Sequence, residues 1–177
     1  MNSLDVVLFI AGTFCITAFT WRFSVKAGRY HGVYRFFSFE CILILLLLTW
    51  RVWFDEPLSW HQIISWMMLI SSIVPAVHGY RLLRAVGKPD GQFEATSQLV
   101  VEGMYRYIRH PLYASLILLG LGIFFKQLTW LGAILTLVNG LAIVGTAKRE
   151  EKEMISKFGS VYLRYMQNTK MFIPYVL

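Results

Sequence analysis

Residues 112–147 read LYASLILLGLGIFFKQLTWLGAILTLVNGLAIVGTA, two apolar runs, Leu112–Phe125 and Leu128–Ala147, with only Lys126-Gln127 between them. So short a connection folds the runs back along one another as an antiparallel helical hairpin. Neither run carries a charge inside it, and a helix that crosses the hydrocarbon core needs about 20 predominantly apolar residues. The second run reaches that length, whereas the first is a short span.

Three further runs precede the hairpin, at about 4–21, 39–54 and 60–80. Trp50 and Trp53 near the end of the second suit an interfacial aromatic belt, and Pro75 is expected to kink or end the third. Composition agrees: 56% of the 177 residues are hydrophobic and 15% charged, against about 45–50% and 25% in soluble domains. The expected fold is all-α and membrane-integral, a single domain over residues 1–177. It has five transmembrane helices (4–21, 39–54, 60–80, 112–125 and 128–147), a C-terminal helical hairpin and a cytosolic cap. The first run lacks a basic n-region and a small-residue cleavage site, so it is read as a retained helix. No internal repeat or low-complexity segment is visible, and Gly87-Lys88-Pro89-Asp90-Gly91 is the nearest thing to a linker.

Charge sets the orientation. Arg22–Ser38 holds four basic residues (Arg22, Lys26, Arg29, Arg35), Arg81–Arg109 five, and the stretch from Lys148 onward six, together 15 of the 17. Five spans put all three regions on one side, and the loop opposite, Asp55–Ser59, is acidic. The positive-inside rule then places the N-terminus outside and the C-terminus and site on the cytoplasmic side. The net charge of +7 is explained by topology and anionic lipid headgroups rather than by nucleic acid. Cys15 and Cys41 are expected to be buried apolar residues, and no metal site is indicated. Gly120, Gly122, Gly132, Gly140 and Gly145 are expected to permit close helix contacts.

Chemistry concentrates in two places. The first is Leu99–Tyr113, where two arginines, a histidine and three tyrosines precede or open a membrane helix. Pro111 fits the first turn of that helix. The free N–H groups there suit an anionic group, and Arg109 and His110 strengthen the site. The second, Lys148–Ile155 followed by Phe158-Gly159, returns on the same side through the hairpin and brings acids to the basic loop. Each element also has a plainer reading, as interfacial anchors or as a solvated helix with charge pairs. His31, His61 and His78 are read as structural, and Glu40 and Arg51 as snorkelling span-end residues.

Gly103-Met104-Tyr105-Arg106-Tyr107-Ile108-Arg109-His110-Pro111-Leu112-Tyr113 resembles the G-x-Y-x-x-x-R-H-P-x-Y signature of the isoprenylcysteine carboxyl methyltransferase family and its prokaryotic relatives. Glu150-Glu151, Phe158-Gly159, Tyr162, Tyr165 and Phe172-Ile173-Pro174 match its C-terminal motif. The clear likeness runs from about Leu99 to Pro174, with motif regions at 97–113 and 148–174. It implies an S-adenosylmethionine-dependent methyltransferase with a cytosolic cofactor pocket and a lipophilic small-molecule or lipid substrate that enters from the membrane lipids. By position in the motif, Gln98, Leu99, Val100, Tyr105, His110, Pro111, Leu112, Tyr113 and Glu150 would hold the cofactor. Arg109 and Arg149 are the candidates for meeting the substrate. No metal, nucleic acid or catalytic base is implied. Thr146 stands where the prenylcysteine-methylating members carry a substrate arginine, and Ser97 where histidine is frequent, so the acceptor stays open among carboxylates, amines and other small nucleophiles. Two other readings stand beside this one: a membrane reductase with a nicotinamide cofactor, and a non-enzymatic membrane accessory protein.

Overall fold

The computed structural model describes residues 2–25, 31–87 and 97–176. Lys26, Arg29 and the linker from Lys88 to Gly91 lie outside these. The described residues form six α-helices: α1 (Ser3–Thr20), α2 (His31–Thr49), α3 (Trp60–Ala85), α4 (Pro111–Phe124), α5 (Trp130–Phe158) and α6 (Ser160–Asn168). No strand forms among them, and one isolated bridge pairs Ile108 with Lys170. This is what lipid demands, since a helix satisfies its own backbone polar groups.

Four segments are long and apolar enough to cross a membrane: Ser3–Ser24, His31–Val52, Trp60–Ala85 and Trp130–Phe158. The fifth, α4, has 14 residues, about 21 Å at 1.5 Å per residue, against a hydrocarbon core of about 30 Å. Helix boundaries depart from the hydropathy reading in three places. Helix α2 starts eight residues early, because Arg35 is buried in the bundle rather than solvated in a loop. Its guanidinium donates to Ser24 Oγ at 3.0 Å and lies over the Phe19 ring. Helix α3 runs through Pro75 to Ala85 instead of ending there. Helix α5 continues past its apolar stretch to Phe158, so the charged Lys148–Glu153 segment is the same rod extended out of the apolar zone. At its start Thr129 caps it by accepting from the Gly132 N–H.

Helix α3 lies along α4 and α2 along α5, with α1 against α2. Small residues set the close contacts. A Cβ on Gly79 would lie 3.1 Å from Pro111 Cγ, one on Gly122 2.9 Å from the Leu69 side chain, and one on Gly120 2.4 Å from Asn139 Nδ2. Gly145 meets Tyr34 similarly, but Gly140 has nothing near it, so close packing is not its role. Polar pairs join helices: Ser38 Oγ donates to Asn139 Oδ1 at 2.6 Å, Ser65 Oγ to the Gly122 carbonyl at 2.6 Å, and Thr13 Oγ1 to Glu40 Oε2 at 3.0 Å. Glu40 is thus buried between α1 and α2 rather than snorkelling. Arg51 keeps to the outside and reaches Asp5 at 3.3 Å. Cys41 is buried as expected, whereas Cys15 faces outward from α1 and is exposed.

Two apolar clusters result. Leu45, Leu69 and Ile123 form one toward the α4–α5 turn. Ile108, Tyr113, Ala114, Ile143, Ala147 and Phe172 form the other, toward the start of α4.

Candidate active site

Helix α4 begins at the site. His110 is its N-cap and Pro111 its first residue, and Pro111 fits against Gly79 of α3. The preceding 3₁₀ turn, Gly103–Arg106, starts with Gly103 at φ 55°. A Cβ there would come within 2.7 Å of His78 and Leu82, so only glycine combines that backbone with that contact. The turn sends the Tyr105 side chain inward, where its hydroxyl reaches the Gly79 carbonyl at 3.5 Å. From the other side, Tyr165 Oη donates to the Tyr105 carbonyl at 2.6 Å.

The stretch 169–172 closes against this motif. The N–H groups of Arg109 and His110 donate to the carbonyls of Lys170 (2.8 Å) and Met171 (3.1 Å), and the Lys170 N–H donates to the Tyr107 carbonyl at 3.0 Å. Arg109 makes the junction with its side chain too. Its Nε donates to Glu151 Oε1 at 2.6 Å, and its Nη1 donates to the carbonyls of Met166 (3.3 Å) and Thr169.

His110, 5% exposed, stacks on Tyr113 with ring centroids 5.4 Å apart and an interplanar angle of 22°. Its Nε2 lies 3.4 Å from Glu151 Oε1 and its Nδ1 3.9 Å from Glu150 Oε2. The two glutamates therefore differ. Glu151 accepts a hydrogen bond from Arg109 and lies within ion-pair reach of His110, whereas Glu150 Oε2, like His110 Nε2, is buried with no hydrogen-bond partner among the described residues. Burial works to raise the Glu151 pKa, but the His110 and Arg109 contacts outweigh it and hold the carboxyl below its ordinary value. Burial pushes the hydroxyl pKa values of Tyr105, Tyr162 and Tyr165 well up. The negative charge of Glu150 adds to this for Tyr105, and those of Glu151 and Glu150 for Tyr162.

A cleft of about 70 Å³ lies among these groups. Of the residues expected from sequence to hold a cofactor, Leu99, Val100, Tyr105, His110, Leu112, Tyr113 and Glu150 line it, and Arg109 borders it as well. Gln98 is exposed and away from the lining, with its N–H donating to the Gly87 carbonyl at 3.3 Å. Pro111 is buried against Gly79, and Arg149 is exposed on α5. Thr146 is sealed in the bundle, its hydroxyl turned to the Ala142 carbonyl at 2.8 Å. Leu83, Met154, Tyr162 and Tyr165 complete the lining without having been singled out for it. Helical spacing carried that signal: Met154 follows Glu150 by one turn of α5, and Tyr162 and Tyr165 share a face of α6.

The cleft can accept a ligand with both donors and acceptors, because it holds a buried carboxylate oxygen in need of a donor beside an imidazole and a helix start. Its volume is below the roughly 300–1,000 Å³ usual for ligand sites. A nucleotide-sized ligand therefore requires the lining to open. A second, apolar cavity of about 960 Å³ runs beside α4 between α3 and α5, with Val74, Ile117, Leu121, Gly140, Leu141 and Ile173 among its walls. Ile108, Ala114 and Phe172 also border it, and they pack around Tyr113 in the same cluster. Among the described residues no group of three or more His, Cys, Asp or Glu side chains is placed to hold a metal ion.

A family model described as phospholipid methyltransferase matches residues 60–161, more than half of the chain and the part that includes α3, α4, the cleft motif and α5. No curated protein matches the chain.

Proposed function

This chain belongs to the phospholipid methyltransferase family, a family of membrane methyltransferases, and from that premise we propose that it uses S-adenosylmethionine to methylate a lipophilic acceptor taken from the bilayer. The observation that carries the reading is Glu150 Oε2, a buried carboxylate oxygen that accepts no hydrogen bond from any described residue, in a cleft built by the motif. Leaving such a group unsatisfied costs about 1–3 kcal/mol or more, and a ligand that brings a donor removes that cost.

In this reading Glu150 accepts from the ligand's ammonium or ribose hydroxyls. His110 and the free N–H groups at the start of α4 take its carboxylate. Leu99 and Val100 flank it, and Tyr105, Leu112 and Tyr113 form its bed, with Pro111 packed behind them on Gly79. When bound, the cofactor supplies an electrophilic methyl group on a cationic sulfur. The protein supplies orientation and exclusion of water. The three tyrosines, held protonated, are not bases, and the hydroxyls of Tyr105 and Tyr165 already donate within the protein. Arg109, already committed to Glu151 and the tail, positions the cleft. Arg149, exposed on the extension of α5, is the cation left to meet an acceptor headgroup.

The acceptor's apolar part lies in the 960 Å³ cavity, whose Ala114 and Phe172 pack in one cluster with Tyr113 of the cleft. Helix α4 makes a short fifth crossing. Residues 97–110, the α5 extension and α6 form a cap on the cytosolic side of a cytoplasmic membrane, the side that the basic residues select.

The test is calorimetric binding of S-adenosylmethionine and S-adenosylhomocysteine to detergent-purified protein, followed by methyl transfer to extracted lipids. Saturable binding, weakened at least tenfold in His110→Ala and Glu150→Ala, is expected. A folded wild type that binds neither ligand, in detergent or in lipid nanodiscs, overturns the reading.

A further inference from the structure

At the other end of α4 lies a charge that the methyl-transfer reading does not use. Lys126, in the turn between α4 and α5, is 1% exposed. Its Nζ donates to Gln62 Oε1 at 2.8 Å and to the Trp53 carbonyl at 3.4 Å, and it sits 3.6 Å from the centroid of the Trp66 ring. These partners are all neutral, and no carboxylate is within ion-pair reach of the ammonium among the described residues. Buried charges are ordinarily paired, because an uncompensated one is costly.

Lys126 also lines a cavity of about 400 Å³ together with Gln62, His61, Asp55 and Glu56. The ring nitrogens of His61 are engaged by Ser59 Oγ (3.1 Å) and the Phe125 carbonyl (3.1 Å), which fixes that wall. Asp55 and Glu56 are exposed at the rim. The cavity therefore has Lys126 in its wall, with the ammonium just behind it on Gln62, and a negative rim, at the membrane-boundary end of α2, α3 and α4. Fourteen residues of α4, about 21 Å of helix, separate this end from His110.

We infer that this cavity binds the headgroup of a zwitterionic phospholipid, with the phosphodiester against Lys126 and the amine at Asp55 and Glu56. The buried cation gains the counter-charge it lacks, and the two rim carboxylates gain an ammonium. Such a lipid sits in the leaflet opposite the methyl-transfer cleft, so it is a bound lipid rather than the acceptor in the act of reaction.

The test is native mass spectrometry of the purified full chain in detergent, titrated with phosphatidylethanolamine, phosphatidylglycerol, diacylglycerol or inorganic phosphate. Lys126→Met, a near-isosteric change, is compared with wild type after circular dichroism and melting have shown both to be folded. Expected is one fewer retained phosphatidylethanolamine in Lys126→Met, with any lipid at the opposite end still bound. Wild type should prefer phosphatidylethanolamine to phosphatidylglycerol at this site by about tenfold, and Asp55→Asn with Glu56→Gln should abolish that preference. Equal retention by wild type and Lys126→Met overturns the proposal, as does equal retention of diacylglycerol. Displacement of the lipid by millimolar inorganic phosphate reduces the site to a simple anion site and overturns it too. Should Lys126→Met fail to fold, the Asp55/Glu56 variant decides on the lipid preference alone.

Discussion

Arg109 Nε and Glu151 Oε1 lie 2.6 Å apart, with both side chains about nine-tenths buried. The pair joins the sequence motif ahead of α4 to the extension of α5, and through the Thr169 carbonyl to the closing tail. Removing one partner of a buried pair strands the other, typically at about 3–5 kcal/mol. Arg109→Ala and Glu151→Ala are each expected to lower stability on that scale. The double variant should cost less than the sum of the two, as measured by denaturant unfolding in detergent.

Glu150 should behave differently from its neighbour. Glu150→Ala removes an oxygen that accepts no hydrogen bond from any described residue and meets His110 only at 3.9 Å, so its melting temperature should fall far less than that of Glu151→Ala. Affinity for S-adenosylmethionine should fall by about tenfold to a hundredfold, the value of a charge-assisted hydrogen bond of about 1.5–3 kcal/mol. Calorimetry alongside a melt separates the two effects. Equal losses of stability for Glu150→Ala and Glu151→Ala would show that the adjacent acids share one role.

The pH dependence of stability has two edges. Glu151 has a depressed pKa in the folded state, so its contribution is present above the unfolded carboxylate value, about 4.3, and is lost as pH falls through the folded value. Tyr105, Tyr162 and Tyr165 have raised values, so their contribution is present below the unfolded value, about 10. It is lost as pH rises beyond that. Melting temperatures should plateau between these limits. Tyr162→Phe should soften the alkaline edge, and Glu151→Gln the acid one.

Two glycines test packing against cavity space. A methyl group at Gly120 would lie 2.4 Å from Asn139 Nδ2 and disturb the Ser38–Asn139 hydrogen bond, so Gly120→Ala should cost about 1–3 kcal/mol. Gly140 borders the apolar cavity with nothing near its Cβ position. Gly140→Leu should preserve folding and cofactor binding while slowing transfer to long-chain acceptors more than to short ones.

Hydropathy sufficed to locate the apolar spans because lipid rewards unbroken runs, and the Lys126-Gln127 turn fixed the hairpin. It misplaced the start of α2 because a window average cannot tell a solvated arginine from one folded back between helices, as Arg35 is. The reading at Pro75 was undecided between a kink and a stop for a related reason: packing along α4 supports α3 where local propensity does not. The motif residues Tyr105, His110, Tyr113 and Glu150 were legible as a set, since the hairpin returns α5 to them. The division of labour between Glu150 and Glu151 was not, because consecutive residues on a helix point about 100° apart and only tertiary contacts decide which one Arg109 takes.

The pairing of Arg109 with Thr169 spans 60 residues of sequence, and this sets an order of assembly during synthesis. While the ribosome is still making α5, the motif at Tyr105–His110 has already been made, but Glu151, Tyr165 and the Lys170 and Met171 carbonyls do not yet exist. The cleft can close only after α5, α6 and the stretch that follows them have been made. The formation of the cleft is thereby tied to a finished chain, and a chain stalled before Thr169 carries the motif without the walls around it.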